Sequence, residues 1–198
     1  VYENSHIDTL NLKFLYWMFT ALYEANSHPL TWLSHAIDYA LFGLTPFGHH
    51  LISIILHCIN TFLVFMLVIQ LMIREHATGH KDPSPSPESL QLPARSLIAA
   101  AITALLFGIH PVHVESVAWV AERKDVLCAF FFLLTLCAYC VYATAADTGK
   151  RRAWFTGCLV LFAASLMAEP MAITLSLVLL LLDMYLLRRI TLAPRSEE

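Results

Sequence analysis

Residues 109–127, IHPVHVESVAWVAERKDVL, set two histidines, two glutamates, an arginine, a lysine and an aspartate between two long apolar runs. The flanking runs are apolar enough to be embedded in lipid, so this polar stretch joins two spanning helices as a loop or interfacial turn. Charged groups held at such a place are costly unless something uses them.

The composition of the whole chain agrees. Of its 198 residues 58% are hydrophobic and only 14% charged, and the mean hydropathy is +0.64. A soluble globular domain carries about a quarter charged residues. These values imply an integral membrane protein of the all-α class, a polytopic helical bundle. The formal net charge of −3 leaves no basic face for a phosphate backbone, so no nucleic acid partner is expected. Cys58, Cys128, Cys137, Cys140 and Cys158 all fall in apolar segments and act as small buried hydrophobes. Cys137 and Cys140 form a C-x-x-C without a second pair, which points away from a metal or redox role. The chain starts without methionine or a visible signal peptide, so it is expected to be an internal fragment of a longer protein.

Residues 1–47 contain no span but two amphipathic segments. Phe14, Leu15, Met18, Phe19 and Leu22 recur at helical spacing behind Asn11, a candidate N-cap, and a second segment runs over residues 30–42. With Trp17, Trp32, Phe42 and Phe47 they suit helices lying in the headgroup layer of an external loop. Residues 48–190 form the transmembrane part, with about five spans at residues 50–73, 96–110, 126–146, 153–168 and 171–187. Pro, Ser and charge without periodicity make residues 74–95 a flexible loop, and 191–198 a tail. His57 and Asn60, about one turn apart in the first span, predict hydrogen bonds between helices rather than a ligand site. Lys150, Arg151 and Arg152, together with Arg188 and Arg189, assign their ends to the cytoplasmic side. The opposite, external face then holds residues 1–47, the polar stretch and Glu169.

That external face gathers His28, His35, Asp38, His49, His50, His110, His113, Glu115, Glu122, Arg123, Lys124, Asp125 and Glu169. Arg123 and Lys124 break the positive-inside trend, which suggests an anionic ligand; the alternative is simple pairing with Glu122 and Asp125. Histidines and carboxylates beside them can exchange a proton with a hydroxyl. His110, His113 and Glu115 do not form a metal site by pattern, because Pro111 disrupts the regular i, i+4 spacing and no HExxH is present. No metal and no cofactor are expected. A transporter is disfavoured because no span carries a charge near its middle.

Several segments carry a family resemblance. His28-Pro29-Leu30-Thr31-Trp32-Leu33-Ser34-His35, Asp38, residues 41–51 (LFGLTPFGHHL), Leu56-His57 and Asn60, followed by residues 110–119 (HPVHVESVAW) and 122–127 (ERKDVL), resemble bacterial relatives of the transmembrane and tetratricopeptide-repeat O-mannosyltransferases. The resemblance implies a polytopic GT-C-type glycosyltransferase. It would move a sugar, typically mannose, from a polyprenyl-phosphate carrier in the membrane lipid to a protein acceptor Ser or Thr on the external, periplasmic side of a bacterial inner membrane. In that reading Arg123 and Lys124 hold the donor phosphate, while His110, His113, Glu115, Asp125, His28 and Glu169 shape the donor and acceptor site. The family's catalytic acidic pair would lie upstream of Val1. Where the family commonly has a lysine before a proline, this chain has Glu169-Pro170. No 34-residue repeat occurs in the chain. The rival reading is a non-catalytic membrane subunit or scaffold that binds a partner protein or lipid.

Overall fold

The computed structural model describes residues 11–20, 27–79 and 94–186. Every regular element among them is helical. The expected loop at 74–95 is helical at both ends, 74–79 belonging to the helix that ends at Gly79 and 94–95 to the one that starts at Ala94; residues 80–93, the pair Arg188 and Arg189, and residues 191–198 lie outside the described residues, as does Leu22 at the end of the first amphipathic segment.

Helix α1 is Leu12–Thr20 and α2 is Pro29–Phe42. Asn11 caps the first, its Oδ1 accepting the Phe14 N–H at 2.8 Å. Phe14 and Met18, one turn apart, are buried with Ala36 of α2, and Trp17 packs edge-on against Trp32 at 5.3 Å between ring centroids. The amphipathic segments therefore pack on each other. Pro29 opens α2, where a missing N–H costs nothing, and Gly43 ends it with φ at 59°, a conformation that disfavours side chains.

Helix α3, Pro46–Gly79, continues past the expected end at residue 73. Helix α4 is Ala94–Ile109 and the short α5 is His113–Ala118; α6 is Arg123–Thr144 and α7 is Thr148–Ala168. Two helical stretches, Pro46–Glu75 and Val120–Thr144, are long and apolar enough to cross a membrane, while Ala94–Ile109 and Pro170–Tyr185 are shorter apolar segments. The expected fifth span is not one continuous helix: a 3-10 turn at Pro170–Thr174 leads into α8, Leu175–Leu181, and then a π-helical turn at Leu182–Leu186. Pro170 supplies no N–H to a preceding turn and holds Glu169 extended, which divides this segment from α7. Asp183, in the π turn, accepts the Tyr139 hydroxyl of α6 at 2.6 Å.

Helices α6 and α7 pack antiparallel along their length, and α3 packs on both α4 and α6. Polar side chains fasten these apolar helices. His57 Nε2–H donates to the Gly108 carbonyl of α4 at 2.9 Å, and Asn60 Nδ2 donates to the Val126 carbonyl of α6 at 2.9 Å. Both residues bond between helices, as their spacing predicts. Many large apolar side chains face outward, among them Leu105, Leu106, Val160 and Leu177, each more than half exposed. Such an uncovered surface suits lipid rather than water.

At Gly108 α4 packs tightly on α3, since a Cβ there would lie 3.0 Å from Thr61 Cγ2 and Oγ1. Gly108→Leu is expected to push the helices apart, strain the His57 bond and lower stability by about 1–3 kcal/mol in denaturant unfolding. Stability equal to that of the parent would show that this approach is not a tight contact.

Candidate functional site

The polar stretch folds into more structure than a loop. After α5, Trp119 is extended and Val120–Glu122 makes one 3-10 turn, so that Arg123 becomes the first residue of α6. This turn carries the Arg123 side chain inward. The guanidinium is fully buried, and four groups receive it. Nη1 donates to Asp38 Oδ2 and, at 3.4 Å, to Ser34 Oγ; Nη2 donates to the His49 carbonyl; Nε donates to Ser53 Oγ at 3.2 Å. The cradle is therefore built from α2, the start of α3 and the start of α6.

Local spacing explains why those helices can build it. Thr31, His35 and Asp38 recur four and three residues apart and are all buried on one face of α2. On α3 the corresponding row is His49, Ser53, His57 and Asn60. Ser34 stands in the quoted segment 28–35 but without a role assigned to it, and Ser53 lies outside every quoted motif; their place one turn from Asp38 and from His49 is the signal that finds them. His49 Nε2–H donates to the Gly43 carbonyl at 3.1 Å, while its Nδ1 lies 3.4 Å from Asp38 Oδ2.

Lys124, next in sequence, takes a different position. It is partly exposed and pairs with Glu122 at 3.6 Å, so the two adjacent cations are not equivalent. Asp125 is exposed and accepts the Ser116 hydroxyl at 3.0 Å, tying α6 to α5. The His113 ring packs tilted against Phe107, with 4.5 Å between ring centroids, and lies 5.5 Å from His57 and 6.2 Å from His110. Burial, together with the neighbouring His57 and His110, pushes the His113 pKa down. Glu115 is exposed.

His28 and Glu169 meet at a second focus. Glu169 is buried at the break after α7, with its Oε2 3.4 Å from His28 Nδ1, and that nitrogen donates to the Ala168 carbonyl at 3.0 Å. Thr31 Oγ1 donates to the same carbonyl at 3.1 Å. Ten residues of α2 separate His28 from Asp38, about 15 Å at helical rise. Both foci lie at the end of the packed helices formed by the start of α6 and the end of α7.

His35, Asp38 and His49 place one ligand atom each within 4.8 Å of one another, a spacing that could hold a metal ion. The donor set does not suit one. Its single carboxylate already neutralises the Arg123 guanidinium, and a divalent ion would bring two further positive charges into a buried site against that cation. The cluster is better described as the wall of the arginine cradle.

Comparison with known proteins gives the same family as the motifs. The chain is 28% identical over 178 residues to the protein O-mannosyl-transferase Tmtc3 of Drosophila melanogaster, covering 86% of the chain. It is 31% identical over 175 residues to Tmtc2 of the same organism, covering 83% of the chain, and 38% identical over 113 residues to human TMTC4, covering 57%. The chain spans 19%, 16% and 14% of the lengths of these three relatives. The resemblance to the transmembrane and tetratricopeptide-repeat O-mannosyltransferases therefore holds for these relatives, all of them animal proteins. No protein-family model and no solved structure matches the chain.

Inside the cradle, His35 is held neutral. Burial first, then the adjacent Arg123 and His49, lower its pKa from 6.5 to about 3. The unfolded chain takes up a proton here near pH 6.5 and the folded chain only near pH 3, so stability falls as the pH drops through that window. This group contributes a slope of about 1.4 kcal/mol per pH unit. Unfolding measured against pH is expected to show a shallower acid decline in His35→Gln by about that slope. Identical slopes in the two proteins would remove His35 from the account.

Proposed function

We propose that the chain is the membrane part of a glycosyltransferase that moves mannose from a polyprenyl-phosphate carrier to a Ser or Thr hydroxyl of a protein acceptor on the external face. The observation that carries this reading is the similarity, over 83–86% of the chain, to two proteins named as protein O-mannosyl-transferases. The geometry supports a division of labour between the two adjacent cations.

Arg123 is enclosed and committed to Asp38, so it positions the start of α6 rather than touching the donor. Lys124, partly exposed beside Glu122, contacts the donor phosphate as a point charge. In the transfer the acceptor oxygen bonds to the anomeric carbon, and the bond from that carbon to the carrier phosphate oxygen breaks. The phosphate leaves with both electrons, and an ammonium at that oxygen stabilises the developing charge. The acceptor proton passes to a carboxylate base. His110, His113, Glu115 and Asp125 border the donor position, while His28 and Glu169 border the acceptor at the second focus. In this reading the end that carries Lys124 and Glu169 faces the external, periplasmic side of the membrane.

The test is transfer by the full-length protein, reconstituted with polyprenyl-phosphate mannose and a Ser/Thr peptide. Lys124→Ala is expected to lower kcat/KM for the donor by at least about tenfold, with the KM for peptide unchanged. Full activity in Lys124→Ala would remove it from the donor site. Absence of transfer by the parent protein with every sugar-lipid tried would favour the non-catalytic scaffold.

A further inference from the structure

At the end of α6 and α7 farthest from Arg123, a cavity of about 480 Å³ opens to the surface. The 19 residue steps of α6 from Arg123 to Tyr142 place it about 28 Å from the arginine cradle. Arg151 and Arg152 supply two guanidinium groups, Thr148 and Thr156 supply hydroxyls, and Tyr142 and Phe155 form an aromatic wall. The arrangement is built rather than accidental. Arg151 lies 5.4 Å from the centre of the Tyr142 ring, and that ring lies 5.6 Å from Phe155. The nearby Asp147 carboxylate is engaged with the Lys150 N–H at 3.0 Å. Arg74 adds a further cation at this end, its Nη2 donating to Thr144 Oγ1 at 3.2 Å.

The cavity's α7 face continues into an apolar one. Phe155 and Leu159 are one turn apart, as are Thr156 and Val160, and both Leu159 and Val160 are more than half exposed. A ligand that fits must therefore have an anionic head for the guanidiniums and an apolar chain for the stripe below. We propose that this cavity binds the phosphodiester head of an anionic membrane phospholipid, with its acyl chain along Leu159 and Val160. Arginine forks match phosphate oxygens in geometry and charge, and aromatic rings at this depth sit where headgroups meet acyl chains. The site is separate from the donor position and does not depend on the chain being an enzyme.

The test uses the full-length protein in non-ionic detergent, titrated with phosphatidylglycerol, phosphatidylcholine or inorganic phosphate. Binding is followed by native mass spectrometry and by the thermal midpoint. Phosphatidylglycerol is expected to bind and raise the midpoint, and phosphatidylcholine to bind at least about tenfold more weakly. Inorganic phosphate, lacking the chain, is expected to leave the midpoint unchanged. Arg151→Gln with Arg152→Gln is expected to lose about a hundredfold in phosphatidylglycerol affinity, tenfold for each guanidinium, with the lipid-free midpoint unchanged. If that double variant does not fold, Arg151→Lys keeps the charge, loses the planar fork, and is expected to weaken binding about tenfold. Equal binding of the two lipids, a midpoint shift from inorganic phosphate as large as that from phosphatidylglycerol, or unchanged affinity in the folded variants would overturn the proposal.

Discussion

The ion pair between Arg123 and Asp38, closed off from solvent, is the constraint on which the rest of the structure depends. A guanidinium in such surroundings is tolerable only when its charge is matched and its N–H groups are satisfied. Those requirements draw in Ser34, Ser53 and the His49 carbonyl. They also fix where α2 lies against α3, and where α6 must begin. Two polar segments 85 residues apart in the chain thereby become one site.

Once the pair is fixed, the neighbouring residues separate by role. Lys124 follows Arg123 in the helix and so points elsewhere, into partial exposure beside Glu122. His35 lies against the guanidinium and stays neutral, which keeps the buried charge balanced. The same polar row on α3 continues inward through His57 and Asn60, so the site and the interhelical fastening share one helix face. A cradle built this way holds an end of the packed helices rigid while leaving its rim polar.

Much of this was legible where the determining contacts are local or periodic. Asn11 caps α1 as its position before an apolar period suggests, and the one-turn spacing of His57 and Asn60 foretold bonds between helices. The clustering of His28 with Glu169, and of His110 with His113, follows from placing helix ends on one side. The destination of Arg123 was not legible. Glu122 and Asp125 stand beside it in sequence, whereas its partner Asp38 is reached only because a 3-10 turn at Val120–Glu122 redirects the chain. Nor does any periodicity announce the π turn around Asp183, which goes with a hydrogen bond to Tyr139 on another helix.

The most direct measurement is a double-mutant cycle on this pair. Unfolding of the full-length protein in detergent is compared for the parent, Asp38→Ala, Arg123→Ala and the double variant. Each single change strands a buried charge, with an expected loss of about 3–5 kcal/mol, and the double change removes both charges and is expected to lose much less than the sum. A coupling of at least about 2 kcal/mol is the expected result. Additive losses, with no coupling between the two positions, would contradict the account.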